Sequence, residues 1–373
     1  MKANGAPVPT YIDTASGLSE LCRDLADAPW LAIDTEFMRE KTYYAQLCLI
    51  QVATPDLIAC VDPLAIADLS PFYDLLAQPD NVKVMHSCHQ DMEILYQTCG
   101  CLPKPVFDTQ IAVPLLGYPQ QMGYARLVEG LLGVQLEKGQ TRSDWSKRPL
   151  SRAQLDYAAD DVLYLGQIYE RILDALEKRN RLHWLSDDFA RLSEPSRYEQ
   201  PPENAWQRIR SAQRLRPRQL NVLKALAEWR ETVAQKRDIP RNWILRDEVL
   251  VDMATHTPSD IDALQGTRGL NPKTLDRYGE LFLSLIRSAL ALQSSPPMPP
   301  PRRGPKLDGK DEARLESLLA IVESVAKEKE IDASVLASRK EVSRLILGER
   351  DLDVLNGWKK DIIGNELLEY LEK

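Results

Sequence analysis

No run of apolar residues in this 373-residue chain approaches the roughly 18 that a membrane-spanning helix needs. A transmembrane helix is therefore excluded. The start, MKANGAPVPTYIDT, lacks the apolar stretch of a secretory signal, so a cytoplasmic location is expected. C-x-x-C pairs are also missing. The six cysteines, from Cys22 to Cys101, all lie in the first third and read as reduced thiols of a cytosolic chain. Histidine is scarce, at four residues. The one zinc-capable cluster, HSCHQD followed by CGC, has the spacing of no closed zinc site. Nothing in the sequence marks an oligomerisation element or an obligate protein partner, and a monomer is expected.

What is present begins with WLAIDTEF, Trp30 to Phe37, a buried-strand pattern that holds two acids. Side chains two apart on a strand share a face, so Asp34 and Glu36 project together while Ile33, Thr35 and Phe37 point the other way. Two adjacent carboxylates repel, and burying either one unpaired costs several kcal/mol. A Lys, an Arg or a divalent cation would neutralise them. By itself D-x-E also fits a strand end where both acids are solvated.

Net charge is −8, but it is unevenly spread. From Trp206 to Arg246 there are 11 Lys/Arg against 3 Asp/Glu. A basic module tethered to an acidic remainder suggests polyanion binding by one part and cation binding by the other. Strand-like and helix-like segments alternate over residues 1–200, as in an α/β domain. A helix is expected after Asp13 or Thr14. Strands are expected at Trp30–Phe37, Leu47–Ala53 and Leu57–Val61 as antiparallel neighbours, and again at NVKVMHS. A long helix is expected from Ser151, with Leu155, Ala158, Val162, Leu165, Ile168, Ile172 and Leu176 at helical spacing. Residues 201–293 read as a basic all-helical domain and 294–306 as a proline-rich linker. Residues 307–373 read as a second helical, net-acidic domain.

Two further acidic positions follow. HQDMEIL places Asp91 in the first turn of a helix after a strand, where an acid also favours the helix dipole. YAADD places Tyr157 and Asp161 four apart on one helix face, with Asp160 a rival within a turn. Four carboxylates converging on one strand edge can bind two divalent metals, which clamp the attacking and leaving oxygens of a phosphodiester. Oxygen donors of this kind suit Mg²⁺ or Mn²⁺.

The order D-x-E, D, Y-x-x-x-D resembles the DEDDy branch of the 3′–5′ exonucleases. The blocks DTEFMREKTYYAQLCLIQVA, HSCHQDMEIL, FDTQIAVPLLGY, TRSDWSKRPLS and YAADDVLYL together resemble the bacterial ribonuclease D family. Residues 202–292 are similar to an HRDC domain, and the last unit to a second, divergent one. The resemblance implies an α/β fold: a ribonuclease H-like mixed-sheet exonuclease domain followed by two small all-α HRDC-like domains. It implies that Asp34, Glu36, Asp91 and Asp161 hold two divalent ions, with Asp34 bridging them. Tyr157 would orient the attacking water; free tyrosine has a pKa of about 10, which favours positioning over general-base catalysis. The implied reaction is metal-dependent 3′–5′ exoribonuclease action that releases nucleoside 5′-monophosphates. RNA, and tRNA precursors in particular, is the implied partner.

Other residues of the matched blocks are expected at the substrate. Phe37, Met38 and Tyr43 would stack on or wedge terminal bases, and Arg142, Trp145 and Arg148 would contact phosphate from a polar loop. His86, at a strand end, reads as a core histidine. In the basic helical domain Arg208, Arg210, Arg214, Arg216, Arg218, Lys224 and Arg241 would meet the RNA backbone, while Trp206, Trp229 and Trp243 read as core aromatics. Two alternatives use the same residues. A DNA 3′–5′ exonuclease needs the same carboxylates, and a non-catalytic RNA-binding scaffold would be favoured had any acid been lost.

Overall fold

The structure, a computed structural model, describes residues 9–136, 139–140, 142–292 and 307–372. The expected linker at 294–306 lies outside the described residues. The chain forms two compact units. One holds residues 9–38, 47–198 and 307–372; the other holds 39–46 and 199–292.

Six strands make the sheet of the first unit: β1 (Thr10–Ile12), β2 (Trp30–Met38), β3 (Gln46–Ala53), β4 (Ile58–Val61), β5 (Val82–Met85) and β6 (Val106–Asp108). Their order is β1-β4-β3-β2-β5-β6. β3 and β4 pair antiparallel, as expected, with Gln51 opposite Cys60. β1 runs parallel to β4, β2 parallel to β5 with Ala32 opposite Val84, and β5 parallel to β6. The sheet is thus mixed. β2 sits inside it, and its last pairing with β5 falls two residues before Asp34.

The first five helices are α1 (Ala15–Ala26), α2 (Ser70–Ala77), α3 (His89–Cys99), α4 (Thr109–Ala112) and α5 (Tyr124–Leu132). Thr14 caps α1 by accepting from the N–H of Gly17. Gly100, in the left-handed conformation, ends α3. The long helix α6 (Arg152–Lys178) starts at Ser151, whose side chain and that of Gln154 form a capping box. Its apolar row, Ala158, Val162, Leu165, Ile168, Ile172 and Leu176, is buried. Val162, Leu165, Ile168, Ile172 and Leu176 join Trp30, Ala32, Val84 and Phe107 in one core, while Ala158 packs with Cys48, Leu49, Cys60 and Trp145. This row sets α6 across β2.

Helices Gly309–Lys329, Ala333–Leu336 and Arg339–Ile346, with those that follow to residue 372, share that same core through Leu315, Leu318, Val342 and Leu367. Arg181, just beyond α6, donates to the carbonyls of Leu115, at 2.6 Å, and Lys329. Trp184 stacks on Trp358 with ring centroids 4.4 Å apart. Residues 307–372, which read as a separate domain in sequence, are packed as part of the exonuclease unit.

The second unit is helical. Helix Pro217–Arg237 packs against Asp247–His256 and Pro272–Ala291 around Leu223, Leu226, Met253, Phe282 and Ile286. Two charged residues lie in this interior, and both are partnered. Arg230 donates to the Leu245 carbonyl at 2.8 Å and to Asp247 at 2.7 Å. Glu231 accepts from Arg241 at 3.0 Å and from the Tyr43 hydroxyl at 2.5 Å. Trp229 packs edge-on against Tyr278 and Phe282, and Trp206 lies under Lys224. Trp243 departs from the core expectation: it is 63% exposed.

Candidate metal centre and active site

Strand alternation sends Asp34 and Glu36 to the face that α6 crosses. Asp161, one turn above Tyr157 on that helix, meets them there. One carboxylate oxygen from each of the three lies within 4.8 Å of the others, the sole cluster of this kind among the described residues. Asp161, and not Asp160, belongs to this cluster. All three keep a little exposed surface, whereas Asp91 is buried.

Asp91 arrives by a different route. It stands in the first turn of α3 and accepts a hydrogen bond from the Thr35 hydroxyl at 2.5 Å. Thr35 points away from Asp34 and Glu36, as alternation requires, and so ties the opposite side of β2 to the fourth acid. The turn that aims α3 is built by Asp108. Its carboxylate accepts from the N–H groups of Ser87 at 3.0 Å, Cys88 at 2.9 Å and Gln110 at 2.8 Å. Ser87 is held at φ 58°, a left-handed conformation that a serine adopts only when its surroundings impose it.

Electrostatically the four acids strain one another. Burial, reinforced by the Asp161 charge, pushes Asp34 up to about 8. Glu36 rises to about 9 through burial and then Asp34, Asp161 and Asp91. Asp91 rises to about 8 through burial and Asp34, against the Thr35 hydrogen bond. Burial lifts Asp161 to about 7, and a hydrogen bond from Tyr157 opposes the rise. No lysine or arginine appears among the groups that shift them. A set of close, partly buried carboxylates without a cationic side chain among the described residues is a donor set that fits divalent cations with oxygen preference.

A cleft of about 180 Å³ opens beside this cluster, lined by Asp34, His86, Tyr124, Tyr157, Asp161 and Leu165. Tyr124, on α5, was not marked by the sequence. Its hydroxyl donates to the main-chain carbonyl of Asp161 at 2.5 Å, fixing the turn of α6 that carries the acid. His86 shares a 2.8 Å hydrogen bond with Thr109 and forms wall. Burial lowers its pKa.

Of the expected substrate contacts, Arg208 and Arg241 both pair with Glu231, at 3.4 and 3.0 Å, and Arg148, Trp145 and Tyr43 also have other partners. Arg148 grips Asp62 with two nitrogens, at 2.6 and 2.7 Å, and also donates to the Cys48 carbonyl, so its fork is filled by the protein. Trp145 is only 2% exposed. It packs with Cys48, Leu49 and Cys60 and lies 6.1 Å, centroid to centroid, from Tyr157, whose ring it supports. Tyr43 is buried in the helical unit, bonded to Glu231 and, at 2.9 Å, to Gln200. Met38 packs on the Trp145 cluster, and Phe37 is half-buried at the end of β2. Arg142, Arg210, Arg214, Arg216 and Arg218 are exposed.

With this geometry in place, comparisons with known proteins bear on it. The 3′–5′ exonuclease family model matches residues 9–177, and the HRDC domain model residues 219–286. Ribonuclease D of Sphingobium indicum is 42% identical over 97% of this chain and 94% of its own length. Ribonuclease D of Zymomonas mobilis is 41% identical, covering 98% and 94%. The crystal structure of Escherichia coli RNase D, described as an exoribonuclease involved in structured RNA processing, superposes with a TM-score of 0.83 at 32% identity, covering 98% of both chains.

Proposed function

The chain belongs to the ribonuclease D family, and from that premise we propose how its site works and what it works on. It is a 3′–5′ exoribonuclease. Its substrates are the 3′ ends of structured RNAs, tRNA precursors among them, and its products are nucleoside 5′-monophosphates. It acts as a monomer in the cytoplasm. No helix among the described residues is long and apolar enough to cross a membrane.

Asp34, Glu36, Asp91 and Asp161 are the residues that would hold two divalent ions, Mg²⁺ or Mn²⁺. Bound there, such ions supply Lewis-acid polarisation of the phosphoryl group and charge for the attacking and leaving oxygens. The chain supplies the rest. Tyr157 donates a hydrogen bond to Asp161, and its oxygen orients a water for in-line attack. Trp145 keeps that ring from turning, Tyr124 fixes the backbone of Asp161, and Thr35 holds Asp91. Phe37, half-exposed at the end of β2, can stack on a terminal base.

The observation that carries this reading is the cluster of raised, uncompensated carboxylates facing the Tyr157 cleft. The test is digestion of a 3′-extended tRNA transcript in Mg²⁺, beside Asp34→Asn and a matched DNA oligonucleotide. Stepwise release of monophosphates from the RNA 3′ end, and none by the mutant, is the expected result. Equal digestion of DNA would widen the activity to a general 3′–5′ exonuclease. Binding without cleavage in both Mg²⁺ and Mn²⁺ would overturn it in favour of a scaffold.

A further inference from the structure

One series of elements occurs twice in this chain. A 21-residue helix ends at a residue in the left-handed conformation, and an isoleucine, one further residue and a four-residue helix follow. In the first copy these are Pro217–Arg237, Asp238 at φ 48°, Ile239, Pro240 and Arg241–Ile244. In the second they are Gly309–Lys329, Glu330 at φ 51°, Ile331, Asp332 and Ala333–Leu336. Each copy uses this turn to hold a stretch of the exonuclease sequence. The Asp238 carboxylate accepts the N–H groups of Tyr43 and Tyr44, each at 3.0 Å. The N–H of Asp332 donates to the Pro114 carbonyl at 2.8 Å.

The second turn grips more than Pro114. Arg181 bridges the Leu115 carbonyl on one side and the Lys329 carbonyl on the other. Ser334 donates to the Gln120 side chain at 3.1 Å. Gly117, at φ 87°, runs so close that a Cβ there would lie 3.3 Å from the Glu330 carbonyl oxygen. Ile331, amid these contacts, is buried in the core. The stretch being held has little structure of its own. Residues 118–123 lie in no helix or strand. They lead to Gly123, which starts α5 without a side-chain cap. The first residue of α5 is Tyr124, whose hydroxyl donates to the Asp161 carbonyl at 2.5 Å.

We propose that the turn of residues 329–334 positions Asp161 by this route. The turn fixes residues 114–120, those residues aim α5, and Tyr124 fixes the backbone of Asp161. Asp332, Gly117 and Arg181 are then positioning residues for a cleft that none of them lines. A 1 Å misplacement of a reacting group costs about 10²-fold in rate, so loosening the turn slows the reaction while the fold stands. The inference rests on the reading of Asp161 as part of the active site. It gives the helices after residue 307 a part in catalysis that needs no contact with RNA. The Asp332 N–H can be removed without straining the chain. Its φ of −67° is the value that proline imposes, and the first copy carries Pro240 at the same place.

The test compares Asp332→Pro with Asp332→Ala in the full-length protein. Both lose the carboxylate that accepts the Ser334 N–H, and only proline also loses the N–H that reaches Pro114. Relative to alanine, proline should lower kcat on a short RNA about tenfold, short of the about 10²-fold cost of a full 1 Å misplacement. KM, RNA affinity in EDTA and Tm should match those of the alanine variant. Amide exchange of residues 114–132, measured in EDTA, should quicken while β3 and β4 keep their protection. In a Tyr124→Phe background the proline should cost less than about twofold in kcat, because the link it acts through is already cut. Gly117→Ala, strained at φ 87° and pressed against Glu330, is the second variant and should show the same pattern. A kcat for Asp332→Pro within about twofold of Asp332→Ala overturns the proposal, as does an undiminished loss in the Tyr124→Phe background. Exchange that quickens equally in β3 and β4 also overturns it, since the turn would then hold the fold and not the site. The outcomes separate from those for the active site. A wild type that binds RNA but never digests it sinks the exonuclease reading, while exchange at residues 114–132 still reports on the turn. An active wild type whose kcat is indifferent to the proline sinks this proposal alone.

Discussion

Gly166 lies in the middle of α6, where glycine costs about 1 kcal/mol relative to alanine. Its reason is Trp30. A Cβ built on Gly166 would overlap Cη2 of the Trp30 indole and fall 2.7 Å from Cζ3 and 3.1 Å from Cζ2. The ring cannot step aside. It is buried, its Nε1 donates to Glu170 at 3.3 Å, and Tyr169 meets it edge-on at 6.1 Å. In Gly166→Ala the helix must therefore retreat, by on the order of 1 Å, to restore ordinary carbon contact. Overpacking of this kind costs about 1–3 kcal/mol, offset by the helix-propensity gain of about 1 kcal/mol. The net loss is about 0–2 kcal/mol, or at most about 4 °C in Tm at the size-scaled slope. Activity should suffer far more. Gly166 stands five residues from Asp161, about 7.5 Å along the axis, and Trp30 shares the face of β2 that carries Asp34 and Glu36. Displacing α6 from β2 thus parts the carboxylates, and a 1 Å misplacement costs about 10²-fold in rate. The assay is Tm together with kcat on a short RNA, in a cycle with Trp30→Leu, which clears the space. Partial recovery of kcat in the double variant would show the coupling directly. A Gly166→Ala protein more stable than wild type with kcat unchanged would refute the argument, because helix propensity would then outweigh the close approach.

Tyr157→Phe should lower kcat by about 10²-fold, the effect of a misplaced reactant, while RNA affinity in EDTA holds; retained kcat would remove the tyrosine from the mechanism. Asp34→Asn should abolish hydrolysis yet raise Tm in EDTA above neutral pH, because one member of a mutually repelling set is gone; a lower Tm would argue against the repulsion. The pH dependence follows with a definite sign. The acids titrate at about 7 to 9 in the folded chain against about 4 unfolded, so between those limits the folded state binds more protons. Metal-free stability should then fall as pH rises, and Mg²⁺ should raise Tm more at about pH 8.5 than at about pH 6; calorimetry showing the reverse order would contradict the site. Arg148→Ala should cost about 3–5 kcal/mol by stranding Asp62, whose side chain is 3% exposed, with single-strand RNA affinity in EDTA unchanged; weakened binding with normal Tm would return Arg148 to the substrate.

How far the sequence was legible depended on the range of the interaction. Asp34 and Glu36 share a face because strand alternation is local, and Tyr157 and Asp161 share one because helical spacing is local. The Ser151 cap and the apolar row of α6 were visible for the same reason. β1 was not, since three residues show no period until β4 pairs with them. Thr35, Asp108 and Tyr124 left no mark, because each acts through a backbone or side chain distant in sequence. The protein partners of Arg148 and Tyr43 left no mark for a related reason. A guanidinium in a polar loop looks the same whether its partner is a phosphate or an Asp 86 residues away. A tyrosine beside the catalytic strand gives no sign of a Glu 188 residues on. Trp243 failed in the opposite sense: a helix of four residues has no full face to bury.

The same distinction explains why the acids could be found at all. A core is normally built so that each residue lowers the free energy of its neighbours. Asp34, Glu36, Asp91 and Asp161 raise one another's, and the sheet and α6 hold them together regardless. That conflict with folding is local and therefore written in the sequence, as carboxylates inside an apolar strand. What makes the conflict tolerable is not local. Gly166 admits Trp30, Tyr124 pins the backbone of Asp161, Asp108 sets the turn before α3, and Arg181 ties α6 to the helices after residue 307. A carboxylate cluster of this kind announces itself through its cost, and its supports become visible only in three dimensions.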